Sequence, residues 1–216
     1  MGNNLYGEVK KYWESDRFQK MHEIVRLEIL NYLTELDEQY FKQYNNHFIR
    51  FKENRMKSFE SIISKLKRKN SEINIENMEK YIDDISGVRI ICYDQKQLYR
   101  LVKLIKDSNQ YEIYKEKDYI KNPKKNGYVS YHIVFLVPIN VDKEKINVKV
   151  ELQIRTIIMD AWASMDSIVR YKKKKQISDD LEKLINTYSK KSRQMDRLMR
   201  SVLEIDEKTS RDKSGR

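Results

Sequence analysis

From Ile146 to Arg155 apolar and polar residues alternate strictly, with Val148, Val150, Leu152 and Ile154 on one parity and Lys149, Glu151, Gln153 and Arg155 on the other. A two-residue period belongs to a strand with one buried face and one wet face. A carboxylate, an amide and a guanidinium therefore share one row. Such a row can hold a metal ion, order a hydroxyl or bind phosphate. A solvated sheet face with cross-strand ion pairs has the same pattern.

Elsewhere the period is helical. Phe18, Met21, Val25, Ile29, Leu33, Leu36 and Tyr40 recur at steps of three and four, which predicts a long amphipathic helix within 15–44. Phe59, Ile62, Ile63 and Leu66 predict a second helix from Ser58 to Lys69, followed by a short one over Ile75 to Tyr81 and another over Gln95 to Asp107. Val88 to Tyr93, β-branched and preceded by Gly87, reads as a buried strand, and Tyr111 to Glu116 as another. Beyond a polar loop, Asp118 to Gly127, the run Tyr131 to Val137 predicts a strand ended by Pro138, with the alternating segment as its hairpin partner. Thr156 opens a helix through Trp162 and Val169, and a last helix spans Ser178 to Glu207. The expected fold is a single α/β (α+β) domain over 1–216. It has an N-terminal helix at 15–44, a motif-bearing core at about 45–175 and a basic helical extension at 176–216.

Charge adds a partner class. The net charge is +11, and from Arg170 to Arg216 there are 15 Lys/Arg against 8 Asp/Glu. That balance favours an anionic partner, although a Lys-, Asn- and Ile-rich composition bias produces the same numbers. One cysteine, Cys92, excludes an intramolecular disulfide and sits in an apolar run, as a structural thiol does. No pair among His22, His47 and His132 has zinc-ligand spacing. No signal core or membrane-length apolar stretch is present, so a cytoplasmic protein without membrane partners is expected.

Several residues could carry chemistry. On a helical projection Lys57, Ser61, Lys65 and Arg68 form one stripe opposite the apolar face. Like charges four apart repel, and a polyphosphate would relieve that repulsion, while a solvated basic face is the plainer reading. Asp83-Asp84 are turn residues or Mg²⁺ ligands. Arg89, inside a strand, must reach the wet face or a buried anion. The loop Asp118–Tyr128 is basic, and Tyr128 just after Asn126-Gly127 is placed to stack on a base.

In order, Arg55-x-Lys57-x-x-x-Ser61-x-x-x-Lys65, Asp84-Ile85-Ser86-Gly87-Val88-Arg89, Asp118-Tyr119-Ile120, Asn126-Gly127-Tyr128-x-Ser130-Tyr131-His132 and Glu151-x-Gln153-x-Arg155-Thr156 resemble the synthetase domain of the RelA/SpoT family. Asp160-Ala161-Trp162-Ala163-Ser164 and Tyr171-Lys172 extend the match over about residues 20 to 175, and the stand-alone small alarmone synthetases are the most similar group. The resemblance implies a nucleotidyltransferase-like mixed sheet flanked by helices, without a hydrolase domain. It also implies an ATP-dependent pyrophosphokinase that moves the β,γ-pyrophosphate of ATP to a ribose 3′-hydroxyl and releases AMP. Asp84 would hold Mg²⁺, and Glu151 would complete the metal site or activate the hydroxyl. Arg55 and Arg89 would clamp the adenine, and Lys57, Ser61 and Lys65 would bind the ATP phosphates. Tyr128 would stack on the acceptor base, with His132, Gln153 and Lys124 on the acceptor side.

Two motifs depart from the family pattern: Val129 stands where Arg is frequent, and Met165-Asp166-Ser167 replace Leu-Glu-His. With the basic C-terminus, these likenesses point to the toxic branch of the family. They imply the CCA end of tRNA as acceptor, phosphate contacts from Lys172, Lys173, Lys174 and Lys175, and an acidic antitoxin as partner. The alternative acceptor is GTP or GDP, giving (p)ppGpp. A catalytically silent nucleic-acid-binding module is a third reading.

Overall fold

The computed structural model describes residues 2–172 and 178–214, and the side chains of 5–169 and 178–205. Twelve elements occur among the described residues: α1 (Gly2–Trp13), α2 (Asp16–Tyr44), β1 (Ile49–Met56), α3 (Phe59–Arg68), α4 (Ile75–Tyr81), β2 (Ser86–Cys92), α5 (Gln95–Ser108), β3 (Glu112–Asp118), β4 (Tyr131–Val141), β5 (Glu144–Thr156), α6 (Ile157–Lys172) and α7 (Asp179–Ser214). The strands form one sheet in the order β1-β2-β5-β4-β3. Only β2 and β5 run parallel; the other neighbours are antiparallel.

The alternation of β5 plays out as its spacing predicts. Val148, Val150, Leu152 and Ile154 are buried with Val88 and Ile90 of β2 and Ile133 and Phe135 of β4. These side chains join Val25, Ile29 and Leu33 of α2 and Leu98 and Leu101 of α5 in one core. Each buried Leu, Ile or Val contributes roughly 1.5–3 kcal/mol, so this layer fixes which face of every strand is left for function.

Local signals set the element ends. Ser15, Ser58, Asn74 and Asp94 cap α2, α3, α4 and α5 by accepting a backbone N–H three residues on. Asn45 and Asn109 close α2 and α5 in the left-handed conformation. The β4–β5 hairpin turns on Asp142 and Lys143, both at positive φ, as a two-residue turn of primed type requires.

Two expectations are corrected, and one strand was not anticipated. Pro138 does not end β4, which runs to Val141 with Pro138 opposite Asn147. The β3 ladder stops at Leu136, so β4 is an edge beyond that point and tolerates a residue without an N–H. Residues 49–56 form a strand, β1, that hydrophobic periodicity does not reveal, because the segment is a largely exposed edge. Consequently Arg55 lies on a strand, and Lys57 precedes the N-cap Ser58 and lies outside α3. The buried Cys92 behaves as expected, its thiol pushed far up by burial and by the carboxylates of Asp94 and Asp37.

Candidate active site

The face of the sheet opposite the α2–α5 layer carries two adjacent cross-strand rows. One reads Arg55, Gly87, Glu151, Val134, Lys115 across β1, β2, β5, β4 and β3. The other reads Glu53, Arg89, Gln153, His132, Lys117 in the same strand order. Residues two apart on a strand share a face, so both rows look into the same space. Most of the residues singled out from sequence fall on these rows or beside them.

A cleft of about 430 Å³ opens over the β5–β4–β3 side, lined by Asp84, Lys124, Tyr128, His132, Glu151 and Gln153 among others. Lys65, Lys69, Lys115 and Lys117 also line it, so its rim is strongly cationic. A second, shallower cleft of about 520 Å³ lies over Arg55, Arg89 and Arg155 toward α6, and Tyr128 and Gln153 border both. The middle of the β5 row thus forms the divide between two spaces, and Asp84, Arg89 and Glu151 line the crevice that joins them.

Asp84 is gripped by two ammonium groups. Lys57 Nζ donates to one carboxylate oxygen at 2.8 Å and Lys65 Nζ to the other at 2.9 Å. Burial alone would raise its pKa, but these two lysines reverse the effect and hold the carboxyl below its usual range. Asp83 turns the other way, to Lys115 and Lys149, and is also held low against the effect of burial. Ser61 does not join this group. Its side chain is exposed on the first turn of α3, hydrogen-bonded to Ser58, and lines neither cleft.

Arg89 resolves the problem of a guanidinium within a strand by taking the wet face. It points to the wet face and meets Glu53 across the β1–β2 ladder at 2.6 Å, with Asp160 of α6 at 3.8 Å. Its Nε is buried without a partner. Arg55 crosses over Gly87, where an added Cβ would lie 3.5 Å from its Cγ, in ordinary contact.

A continuous hydrogen-bond chain runs along β5. Buried Arg155 donates through Nη1 to Asp160 at 2.9 Å, and through Nη2 to the Tyr128 hydroxyl at 3.0 Å and Gln153 Oε1 at 2.9 Å. Gln153 Nε2 then donates to Glu151 Oε2 at 2.7 Å. On the other branch, Tyr128 Oη lies 2.9 Å from His132 Nε2, and His132 Nδ1 lies 3.1 Å from Glu151 Oε1. Because the Tyr128 oxygen already accepts from Arg155, its own hydrogen goes to Nε2, which leaves Nδ1–H to donate to Glu151. Both carboxylate oxygens of Glu151 are therefore engaged. Burial would raise its pKa, yet His132 and Gln153 outweigh burial and keep it below the usual range.

The loop that carries Lys124 and Tyr128 is held from behind. Lys124 and Gly127 close a turn, Gly127 N donating to Lys124 O at 2.8 Å. Gly127 sits at φ +85, and Ser189 of α7 donates to its carbonyl at 3.1 Å. A Cβ at this position would fall 2.7 Å from Ser189 Cβ, so both conformation and space demand glycine. Tyr128 packs against a small cluster of Trp162, Ala163 and Ile185, which joins the loop to α6 and α7. The Lys124 ammonium lies 4.6 Å from the Tyr119 ring centroid and 4.8 Å from that of Tyr128, on surface a stacked base would use. Val129, one of the two departures from the family pattern, is a buried core residue and lines neither cleft, so this change concerns packing. Lys173, Lys174 and Lys175 lie outside the described residues; Lys172 ends α6, but its side chain is outside them too.

Asp84 and Glu151 suit Mg²⁺, which takes one or two carboxylates together with substrate phosphates. Both carboxyls are held ionised and border the same crevice. Among the described residues no three His, Cys, Asp or Glu side chains gather closely enough to hold a metal alone. An ion here would need oxygens from the substrate. Among the described residues no helix is long and apolar enough to cross a membrane.

Residues 54–176 match the family described as "Region found in RelA / SpoT proteins". Over 151 residues the chain is 41% identical to GTP pyrophosphokinase YwaC of Bacillus subtilis (strain 168), which covers 68% of this chain and 72% of that protein. Its fold superposes on small alarmone synthetase 1 from Bacillus subtilis with a TM-score of 0.80 at 27% identity, covering 91% of this chain and 99% of the other. The same enzyme bound to its product pppGpp gives a TM-score of 0.77 at 25% identity, covering 90% and 97%. The chain belongs to the RelA/SpoT family, and its fold is that of the small alarmone synthetases.

Proposed function

We propose that this chain, a pyrophosphokinase of the small alarmone synthetase type, takes ATP as donor and GTP or GDP as acceptor. The observation that carries the reading is Glu151, half-buried at the divide between two clefts, ionised and oriented from both sides by His132 and Gln153. In this reading the adenosine lies over Arg55 and Arg89, and its phosphates cross toward Lys57 and Lys65. The acceptor base rests on Tyr128, with its phosphates among Lys65, Lys117 and Lys124, and its ribose 3′-hydroxyl reaches Glu151. Glu151 takes the hydroxyl proton, the oxygen forms a bond to the β-phosphorus, and the bond from that phosphorus to the α-bridging oxygen breaks to release AMP. Mg²⁺ bound by Asp84, Glu151 and phosphate oxygens would offset charge on the transferred group. The protein otherwise supplies position and fixed charge, which suffices for phosphoryl chemistry.

The relatives favour the guanosine acceptor over the tRNA end: YwaC is named a GTP pyrophosphokinase, and the superposed enzyme carries pppGpp. The tRNA reading rests on C-terminal charge and on the two motif departures, of which Val129 lies in the core. The test is incubation with γ-labelled ATP and GTP, GDP or deacylated tRNA, followed by separation of the products. Label on guanosine nucleotides is expected. Label on tRNA alone would overturn the assignment and reinstate a toxin with its antitoxin, and label on neither would leave a binding module.

A further inference from the structure

Behind the loop that carries Tyr128 lies a separate cavity of about 230 Å³, which shares no lining residue with the two clefts of the sheet face. Its apolar walls are Ile120 and Val129 of the loop, and Ile158, Met159 and Trp162 of α6. An apolar cavity of about 150 Å³ holds a benzene ring, so this one has room for a ring with a short side chain. Its polar groups are unevenly satisfied. The Trp162 indole Nε1–H is buried without an acceptor, in a residue only 1% exposed. Trp162 Cζ2, on the same edge of the ring, lies 3.6 Å from where a Cβ on Gly127 would stand, so that edge turns toward the loop wall. Arg193 and Arg197 of α7 stand at the rim, one half-buried and one exposed, and neither guanidinium is in an ion pair among the described residues. Asp196, also on the wall, has both oxygens engaged, one by Thr156 at 2.6 Å and the other by Gln95. It therefore offers little to an amine, and the two guanidiniums outweigh its charge.

We propose that this cavity binds a small aryl carboxylate and that its occupant tunes the loop in front of it. The ring lies among Ile158, Met159 and Trp162, where its π face gives the orphaned indole N–H something to donate to. The carboxylate meets Arg193 and Arg197 at the rim, in charge-assisted hydrogen bonds. Gly127 and Val129 both line the cavity and bracket Tyr128 in the chain. An occupant wedged between them and α6 braces the loop in the conformation that the Ser189 bond already holds, and so lowers the acceptor KM. Binding stands on the cavity alone. The effect on KM rests on the acceptor role proposed for Tyr128.

Binding is read directly from Trp162 fluorescence in the full chain carrying Trp13→Phe, which leaves a single indole. Titration with phenylpropionate is expected to give a saturable change with a Kd of about 0.1–1 mM. Arg193→Gln, at a half-exposed rim position whose change removes no core packing, should weaken binding about tenfold with an unchanged circular dichroism melt. Phenylpropylamine has the same apolar body and the opposite charge, and should bind at least about tenfold more weakly than the acid. No saturable change, an amine that binds as well as the acid, or full affinity in Arg193→Gln would overturn the site. With phenylpropionate saturating, the acceptor KM in the transfer assay is expected to fall about fivefold in the wild type and to stay unchanged in Arg193→Gln. An unchanged KM in the wild type beside intact binding would overturn the bracing of the loop and leave the site standing.

Discussion

On the Asp84 side the cleft is held by direct ion pairs, and on the Tyr128 side by a hydrogen-bond chain through Arg155, Gln153 and His132 and by packing on a distant helix. Asp84 is clamped between Lys57 and Lys65, and Arg89 between Glu53 and Asp160, all within ion-pair range. These partners come from β1, the link between β1 and α3, α3 itself and α6. Tyr128 instead depends on Arg155 and His132, on Trp162 of α6 and, through Gly127, on Ser189 of α7, 62 residues away. The difference is in how each half fails. Removing a charge from the donor side leaves its opposite charge buried and unpaired, whereas disturbing the acceptor side shifts a loop. Donor-side variants should lose turnover, and acceptor-side variants should lose acceptor affinity.

The largest effect is expected for Asp84→Asn, which leaves Lys57 and Lys65 facing each other and removes an ion ligand. Turnover should fall by about 10³-fold, with a smaller change in acceptor KM, in steady-state assays. Gly127→Ala should raise acceptor KM by about 10²-fold with turnover within about tenfold, because the added methyl forces the loop off Ser189. If Gly127→Ala lowered turnover as much as Asp84→Asn, the two halves would not be separable.

Next in size is acid sensitivity behind the donor side. His22 Nδ1 lies 2.8 Å from Ser86 Oγ at the start of β2, and burial, aided by Arg26, lowers its pKa to about 4. Its folded pKa is below the unfolded value, so the folded state binds fewer protons. Stability is full above about pH 6.5 and falls as the pH drops toward 4, by about 2 kcal/mol between pH 7.5 and 5. Urea midpoints at the two pH values check this, and His22→Gln should remove the corresponding part of the slope. The smallest effect is expected for Tyr128→Phe, which keeps the ring but takes the hydroxyl from Arg155 and His132. A drop of about tenfold in turnover is expected in single-turnover assays, since the Gln153 branch still orients Glu151.

The same contrast explains what the sequence discloses. The donor side was legible as motifs because its residues cluster near one another in the chain: Lys57 and Lys65 flank one helical stretch, and Asp84 and Arg89 flank one strand start. The β5 row was legible because its period of two is strict. Strand β1 was not, since it is a largely exposed edge whose apolar residues Ile49, Phe51 and Met56 keep no two-residue period. Lys115 and Lys117 were missed for a related reason. They stand two apart on β3 and reach the cleft only through the pairing of β3 with β4, which spacing alone does not reveal. The dependence of Gly127 on Ser189 was equally hidden, because no local pattern links a loop glycine to a helix 62 residues on. Ser61 shows the converse: it fits the basic stripe in projection, yet capping by Ser58 leaves it outside the site.

Glu151 is where the two halves meet, and its removal tests the whole arrangement most directly. Glu151→Gln preserves shape and hydrogen bonding near Gln153 while withdrawing the base. Equilibrium binding of a non-hydrolysable ATP analogue and of GTP, measured beside single-turnover transfer in the same protein, separates assembly from chemistry. Both dissociation constants are expected within about threefold of wild type, with transfer slowed by 10²–10⁴-fold, the range a positioned base supplies. Transfer within a few-fold of wild type would contradict the assignment of Glu151 as the group that receives the acceptor proton.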